Sequence, residues 1–287
     1  MTKATINTGE LLRTALVGDV TSPVMGINPY EVTADGVPFV SVGAGGVCYT
    51  VRVGSEARGW AADQVEPGAS IANPDAAANE ALMLYACVGN RVTVRSGGAE
   101  GAAGVVTGKH EAFHAYKHVL VHLPADALEA LVPDDRLVVQ AIGRGMKVDE
   151  LPEITCHSLG PELWDAWAPE RSDGRLRLRV TRVLSPEVVG MGSGRVSGAT
   201  SVALQSGADE ALDGLRIGDL VAVSDWDATY YTGYHEDRVT IGVVATGDSP
   251  VLGNGPATTI LLSGPSAAFD LAVDNGANLA QLLDLAT

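Results

Sequence analysis

Cysteine, lysine and long apolar runs are scarce in this chain of 287 residues. Its three cysteines, Cys48, Cys87 and Cys156, are too few and too scattered for a disulfide framework or a cysteine-rich zinc site. Sparse cysteine is typical of a reducing compartment, so we expect a cytoplasmic protein. No stretch reaches about 18 uncharged apolar residues. The N-terminus also lacks the apolar segment of a signal peptide, so we expect neither a membrane span nor a leader.

Basic residues are outnumbered as well. The chain has 19 Lys and Arg against 35 Asp and Glu, which gives a formal net charge of −16. Nucleic acids and anionic membranes attract basic surfaces, so we expect neither as a partner. Only 4 of the 19 basic residues are lysine, and with abundant Ala, Gly and Val this is typical of a high-GC bacterial genome. Hydrophobic residues make up 46%, enough for a sizeable core.

Short β-branched segments dominate the rest of the chain, separated by turns rich in glycine and proline. Most alternate between apolar and polar residues or are too short for helices. This recurrent spacing predicts a strand-dominated α+β fold, a β-barrel or β-sandwich with a few short helices. The predicted strands cover residues 37–42, 47–53, 90–96, 104–108, 118–123, 136–142, 175–184, 219–225, 238–245 and 258–263.

Few helices are expected. Asn73-Pro74-Asp75 has the composition of a helix start, and Gly89 would end that helix. Shorter helices are predicted at residues 8–16, 125–131, 161–167 and 276–285. We interpret residues 1–287 as one homologous unit, with a possible subdivision into 1–170 and 174–287 at the polar stretch ERSDG.

Several stretches resemble an uncharacterised prokaryotic family known as domain of unknown function 4438. They are PFVSVGAGGVCYTVRVG (38–54), GWAADQVEPGASI (59–71), ACVGNRVTV (86–94), GVVTGKH (104–110), LRIGDLVAV (215–223), VTIGVV (239–244) and GNGP (253–256). The resemblance implies a glycine-rich, strand-dominated fold and no particular activity. This chain looks like a divergent member, because the family pattern has histidine at the positions of Gln64 and Ala228. Any family chemistry that uses those histidines is therefore in doubt here.

The string His110-Glu111-Ala112-Phe113-His114 is a literal H-E-x-x-H. On a helix the two histidines would share one face and could bind zinc, with the glutamate as general base. However, both flanking segments have the pattern of strands, which leaves little room for a helix. We therefore expect no metal, and keep a zinc-dependent hydrolase as a minor alternative.

Two groups of carboxylates accompany aromatic residues near predicted strand ends. Asp63 and Glu66 form the first group, and Asp225 beside Trp226 forms the second, with Tyr230 following. A carboxylate that is partly desolvated in this way suits general acid–base chemistry. Aromatic side chains near strand ends also line small-molecule pockets.

Two glycine-rich loops, at Gly43–Gly46 and Gly190–Gly194, let a backbone approach a ligand or bind an anion. Neither has the spacing of a nucleotide-binding motif, so no cofactor is expected. Tight turns explain both loops equally well.

Two functional hypotheses remain open. The first is a small-molecule enzyme that uses carboxylate and histidine acid–base chemistry in a barrel pocket, for hydrolysis, elimination or cyclisation, with pathway-specific biosynthesis as one setting. The second is a non-catalytic small-molecule-binding or interaction protein. A homo-oligomer is possible in either case. The candidate catalytic residues are Asp63, Glu66, His110 and Asp225, and the candidate ligand-binding residues are Gly45, Gly46, Tyr49, Trp226 and Tyr230. We expect Asp63, Tyr49 and His110 to share one cleft near the Gly43–Gly46 loop.

Overall fold

Strands make up most of the regular structure. The computed structural model describes residues 2–25, 30–112, 116–190, 201–205 and 209–285. The first strands are β1 (Thr2–Lys3), β2 (Thr14–Val20), β3 (Glu31–Val32), β4 (Pro38–Phe39), β5 (Val47–Cys48), β6 (Gly68–Ala72), β7 (Arg91–Val94), β8 (Ala103–Ala112), β9 (Tyr116–His122) and β10 (Arg136–Ala141). The later strands are β11 (Thr155–Cys156), β12 (Glu170–Ser172), β13 (Arg175–Val180), β14 (Arg182–Leu184), β15 (Ser201–Ala203), β16 (Leu220–Asp227), β17 (Gly233–Val244), β18 (Ala257–Pro265) and β19 (Phe269–Val273).

The helices are short. They are α1 (Ala76–Tyr85), α2 (Ala125–Ala130), α3 (Pro161–Trp167), α4 (Asp209–Leu212) and α5 (Leu279–Leu282), with 3₁₀ turns at Thr8–Glu10, Pro186–Val188 and Ser266–Ala268. Among the described residues, no helix is long and apolar enough to cross a bilayer. The prediction of a strand-dominated α+β fold is confirmed.

Six strands close into a barrel in the order β2-β10-β7-β8-β9-β6, since β6 pairs back onto β2. β5 extends the sheet beyond β6. Closure leaves no free edge within the ring of six strands. Along β9, Val119 and Val121 belong to the barrel core. Because side chains alternate across a strand, His118 and His122 lie on the opposite face of β9.

A second sheet has the order β11-β18-β17-β16-β14, with β15 also paired to β18. It meets the barrel where β8 crosses β18: a Cβ added to Gly108 would lie 2.7 Å from Cβ of Ala245, and the Lys109 amide donates to Thr259 Oγ1 at 2.8 Å. Such close approach requires glycine at position 108.

A third sheet has the order β1-β12-β13-β19. Along β13, Arg175, Arg177 and Arg179 are exposed and the three intervening residues are buried, as the alternation predicted. β11 comes from segment 1–170 but pairs with β18 of segment 174–287, and β1 pairs with β12, which lies at the junction of the two segments. The subdivision of the chain stays a prediction.

Four local predictions were wrong. Residues 8–16 were expected to be helical, but a 3₁₀ turn at 8–10 is followed by β2, whose pairing with β10 outweighs local propensity. The strand expected at 47–53 ends at Cys48. The cap of α1 is Asp75, whose carboxylate accepts from the Ala78 amide, and Asn73 instead accepts from the Asp75 amide. α1 also ends at Tyr85, before Gly89.

Candidate functional site

Two histidines face each other on the outer side of the barrel. β8 and β9 are antiparallel, and their register pairs His110 directly with His118. Directly opposed residues on neighbouring strands place their Cβ atoms about 4.5–5.5 Å apart. His110 and Glu111 are therefore strand residues, in an arrangement that does not form the helix of an H-E-x-x-H zinc site. His114 lies outside the described residues.

Glu66 joins the two histidines. Its carboxylate Oε1 lies 2.6 Å from Nδ1 of His110, and its Oε2 lies 2.9 Å from Nδ1 of His118. Oε2 also accepts from the Ser70 hydroxyl at 2.5 Å and from the Gly45 amide at 2.8 Å. The side chains of Glu66, His110 and His118 are nearly or wholly inaccessible to solvent. The result is a buried carboxylate surrounded by hydrogen-bond donors.

The electrostatics of this cluster keep Glu66 ionised. Burial alone would raise the pKa of Glu66, but the hydrogen bonds and charges of His110 and His118 outweigh burial and hold that pKa well below its usual range. A carboxylate that accepts several hydrogen bonds is strongly stabilised in its charged form. Both histidine Nδ1 atoms must then be the hydrogen-bond donors.

The Gly43–Gly46 loop binds an anion, but that anion is Glu66 of the same chain. Gly45 has a positive φ of 78°, which turns its amide toward the carboxylate, and the Gly46 amide donates to Thr21 Oγ1 at 3.0 Å. The loop is also held from the other side, since the Glu66 amide donates to the Gly43 carbonyl at 2.8 Å. The Gly45 amide thus positions Glu66, and the Gly46 amide fastens the loop to Thr21.

The side chain of Gln64 contacts the second ring nitrogen of His110, Nε2. The Gln64 side-chain nitrogen lies 2.6 Å from the carbonyl oxygen of Gly255, an obligatory acceptor, which fixes the orientation of the amide. Gln64 Oε1 consequently faces Nε2 of His110 at 3.1 Å. Both ring nitrogens of His110 therefore face oxygen acceptors. Among the described residues, the ring of His118 forms hydrogen bonds through Nδ1, to the Glu66 carboxylate, which makes Nε2 the nitrogen available for chemistry.

Tyr116 covers the histidine pair. Its ring stacks on His118 with centroids 4.8 Å apart and meets His110 edge-on at 5.3 Å. Burial, followed by the negative charges of Glu66 and Asp63, raises the pKa of the Tyr116 phenol well above its usual range. Tyr116 thus remains neutral, and Asp63 lies close enough for its charge to act on the same phenol.

Asp63 lies beside this cluster. Its Oδ2 accepts from the Ser41 hydroxyl at 3.1 Å, whereas its Oδ1 is buried and has no hydrogen-bond partner among the described residues. The Asp63 amide donates to the Val42 carbonyl at 2.8 Å, which fixes the backbone.

The other predicted residues lie elsewhere. Tyr49 is 54% exposed in the loop after β5. Asp225 is on β16, where its Oδ1 accepts from the Asp237 amide at 3.0 Å, and Trp226 is buried in the core of that sheet. Tyr230 follows β16 and is 75% exposed. The structure thus brings Glu66, His110 and Gly45 into direct contact, with Asp63 nearby, and shows no hydrogen bond between them and Asp225 among the described residues.

Sequence reasoning missed three contributors to the cluster, namely His118, Ser70 and Tyr116. His118 was placed in the predicted strand 118–123 and was not among the candidate site residues. The H-x-x-x-x-x-x-x-H spacing of His110 and His118, centred on a hairpin between two strands, was the signal that could have paired them.

A second buried polar group lies on the other face of β8. Lys109 is 1% exposed, and its Nζ donates to the Ser158 hydroxyl at 2.8 Å. Burial lowers the pKa of Lys109 to about 8. Nearby, burial lowers the pKa of His157 to about 4, and its Nε2 is buried without a hydrogen-bond partner among the described residues.

No group of three or more His, Cys, Asp or Glu side chains among the described residues is placed to hold a metal ion. The ring nitrogens and carboxylate oxygens of the Glu66 cluster are turned toward each other.

The fold and this cluster define a strand-dominated α+β protein with a closed six-stranded barrel. The chain belongs to the DUF4438 family: residues 30–165 match its N-terminal domain of unknown function and residues 166–283 match its C-terminal domain. A solved structure described as the crystal structure of TM1086 is similar, with 31% sequence identity, a TM-score of 0.92, and coverage of 99% of this chain and 100% of that chain. No curated protein matches the chain.

Proposed function

We propose that this protein is a small-molecule enzyme in which His118 is the general acid–base residue. The observation that carries the proposal is the double hydrogen bond of one buried, ionised carboxylate, Glu66, to the Nδ1 atoms of His110 and His118. A buried carboxylate on Nδ1 fixes the tautomer of a histidine and leaves Nε2 as the acceptor. Catalytic acid–base pairs have this arrangement.

The two histidines have different roles in this proposal. Glu66 orients His118 and stabilises the positive charge that forms when Nε2 accepts a proton from substrate. Nε2 of His110 is occupied by Gln64, so His110 acts as a fixed cationic partner of Glu66. Tyr116 stacks on His118 and restricts the position of its ring. Proton removal by a neutral base begins hydrolysis, elimination and cyclisation alike.

The experiment is a comparison of the parent protein with His118→Gln. Each is incubated in D₂O with a bacterial metabolite extract, and mass spectrometry follows both consumption of compounds and deuterium incorporation. We expect the parent, but not His118→Gln, to consume or deuterate a compound. His235→Gln is the matched control, because His235 is exposed on β17 and far along the chain from the cluster. Equal turnover by the parent and His118→Gln would contradict the proposal.

The second candidate is a non-catalytic small-molecule-binding protein. The observation that favours it is Gln64, whose side-chain amide links Nε2 of His110 to the backbone carbonyl of Gly255. In that case a compound would bind and raise the melting temperature without being changed. The same extract distinguishes the two candidates, because bound compounds recovered intact from the parent would support binding alone.

The wider setting is also a proposal. We expect the small-molecule substrate or ligand to be the main partner, with a cytoplasmic location and a pathway-specific biosynthetic role. A homo-oligomer remains part of this proposal, and sedimentation analysis tests it.

A further inference from the structure

One carboxylate oxygen beside the histidine pair lacks a partner. Asp63 Oδ1 is buried and accepts no hydrogen bond from the described residues, although Oδ2 of the same carboxylate accepts from Ser41. Leaving a buried acceptor unsatisfied costs about 1–3 kcal/mol, and more when it is charged. Native structures contain few such atoms, and each calls for an explanation such as a binding role.

The backbone leaves Asp63 no easy way to relieve this cost. Hydrogen bonds from the Asp63 amide to Val42 and from the Gln64 amide to Asp248 fix the segment on both sides. Gly43 packs so closely that a Cβ there would lie 2.8 Å from the Asp63 carbonyl oxygen. The backbone of Asp63 is therefore fixed, and the Ser41 hydroxyl holds the carboxylate through Oδ2.

The local charge balance indicates the chemistry of the missing group. The negative charge of Glu66 is matched by donors from His110 and His118. Asp63 forms no ion pair with any described residue, and the neutral phenol of Tyr116 lies within range of its charge. Hydrogen bonds between ionised partners are roughly twice as strong as neutral ones. A cationic donor would satisfy Oδ1 better than a hydroxyl group.

We infer that Asp63 binds the primary ammonium group of the small-molecule substrate, so that the substrate is an amine. This inference rests on the proposed function in placing the amine beside His118. Asp63 is then a specificity-determining residue that does not itself transfer a proton. Its anionic oxygen would select amines over alcohols of the same shape.

The test uses n-butylammonium as the probe and n-butanol as its neutral analogue. NMR spectra follow the ring signals of Tyr116 and His118 during titration with each compound. We expect saturable shifts with n-butylammonium, and binding of n-butanol weaker by about tenfold or more. This comparison needs only the parent protein, so it does not depend on a variant folding.

Two variants complete the test. Asp63→Asn should weaken n-butylammonium binding by about tenfold, whereas the matched Asp270→Asn, on β19 of a different sheet, should bind as the parent does. Absence of n-butylammonium binding to the parent, equal binding of n-butanol, or unchanged binding to Asp63→Asn would each overturn the inference.

The outcomes separate this inference from the proposed function. His118→Gln should still bind n-butylammonium, because Asp63 is intact. If binding of n-butylammonium depends on Asp63 but no turnover depends on His118, the proposal of an enzyme is refuted and the proposal of an amine site stands. If the protein turns over a compound that has no amine, and this turnover depends on His118, the proposal of an amine site is refuted and the proposal of an enzyme stands.

Discussion

Nδ1 of His110 lies 2.6 Å from Oε1 of Glu66, although 44 positions separate these two residues in the chain. The bond is buried, and it lies on the outer face of the barrel, beneath the 41–46 and 63–66 segments. A charged hydrogen bond in such a position affects stability strongly because water cannot replace either partner. Measurements of stability and of histidine protonation can therefore test this buried bond.

Replacing Glu66 by Gln should destabilise the protein. The amide keeps the shape of the side chain but removes the charge that His110 and His118 require. Breaking a buried ion pair by neutralising one partner costs about 3–5 kcal/mol. Urea denaturation measures the change. Glu80→Gln is the matched control: Glu80 forms a surface ion pair with Lys117, and its loss should cost about 0–1 kcal/mol. Equal effects would contradict the buried pair.

The stability of the protein should fall in acid because of the same residue. The pKa of Glu66 is lowered from 4.5 in the folded state. Its contribution is therefore complete above pH 4.5 and is lost as the pH falls toward the folded pKa. Below pH 4.5 the free energy of unfolding of the parent should decrease more steeply than that of Glu66→Gln. Parallel pH profiles for the two proteins would show that Glu66 is not the cause.

Gly45→Ala tests the loop that positions Glu66. An alanine there would combine a φ of +78° with a Cβ only 2.6 Å from the Ser22 carbonyl oxygen. Gly36→Ala is the control, since Gly36 has a φ of +80° and no atom within 4 Å of an added Cβ. The backbone conformation costs about 1–2 kcal/mol in both. Losing the hydrogen bond to Glu66 should cost Gly45→Ala a further ~2 kcal/mol. Similar melting temperatures would argue against this role.

Lys109→Met should change the alkaline stability profile. Burial lowers the pKa of Lys109 from 10.5 to about 8. Between these pH values the unfolded chain holds a proton that the folded protein has released, so the stability of the parent rises with pH. The rise is on the order of 3 kcal/mol. Lys109→Met should lack it, and Lys147→Met, at an exposed position, should keep it. A profile of Lys109→Met that follows the parent would contradict the prediction.

The hydrogen positions on the histidines can be observed directly. Because both nitrogens of His110 face oxygen acceptors, both should carry hydrogens, while Nδ1 of His118 carries one. Long-range ¹⁵N–¹H correlation spectra distinguish protonated from unprotonated ring nitrogens. Exposed His235, whose Nδ1 lies 2.9 Å from the Glu236 carbonyl oxygen, provides the reference for a histidine outside the cluster. An unprotonated Nε2 on His110 would mean that Gln64 does not accept a hydrogen bond from this nitrogen.

Much of the secondary structure was predictable because local alternation reflects burial. The pattern at Arg175–Val180 gave a strand with one exposed face, and α3 begins and ends at the predicted residues 161 and 167. The failures have a common cause. The segment 14–20 contains no decisive local pattern, and its strand exists because β10 and β6 lie on either side of it. The segment after Cys48 likewise forms no strand, because β5 pairs with β6 only through Val47 and Cys48.

The candidate site was likewise predictable from the sequence only in part. Residue types and turn signals were enough to select Glu66, His110 and Gly45, because a carboxylate, a histidine and a glycine loop are chemically distinctive on their own. Their meeting depends on the closed barrel. The β8–β9 register sets His118 opposite His110, and the pairing of β6 with β9 brings the Glu66 segment alongside. Separation along the chain carries no information about such pairings, because hydrogen-bonded register is set by packing across the whole sheet.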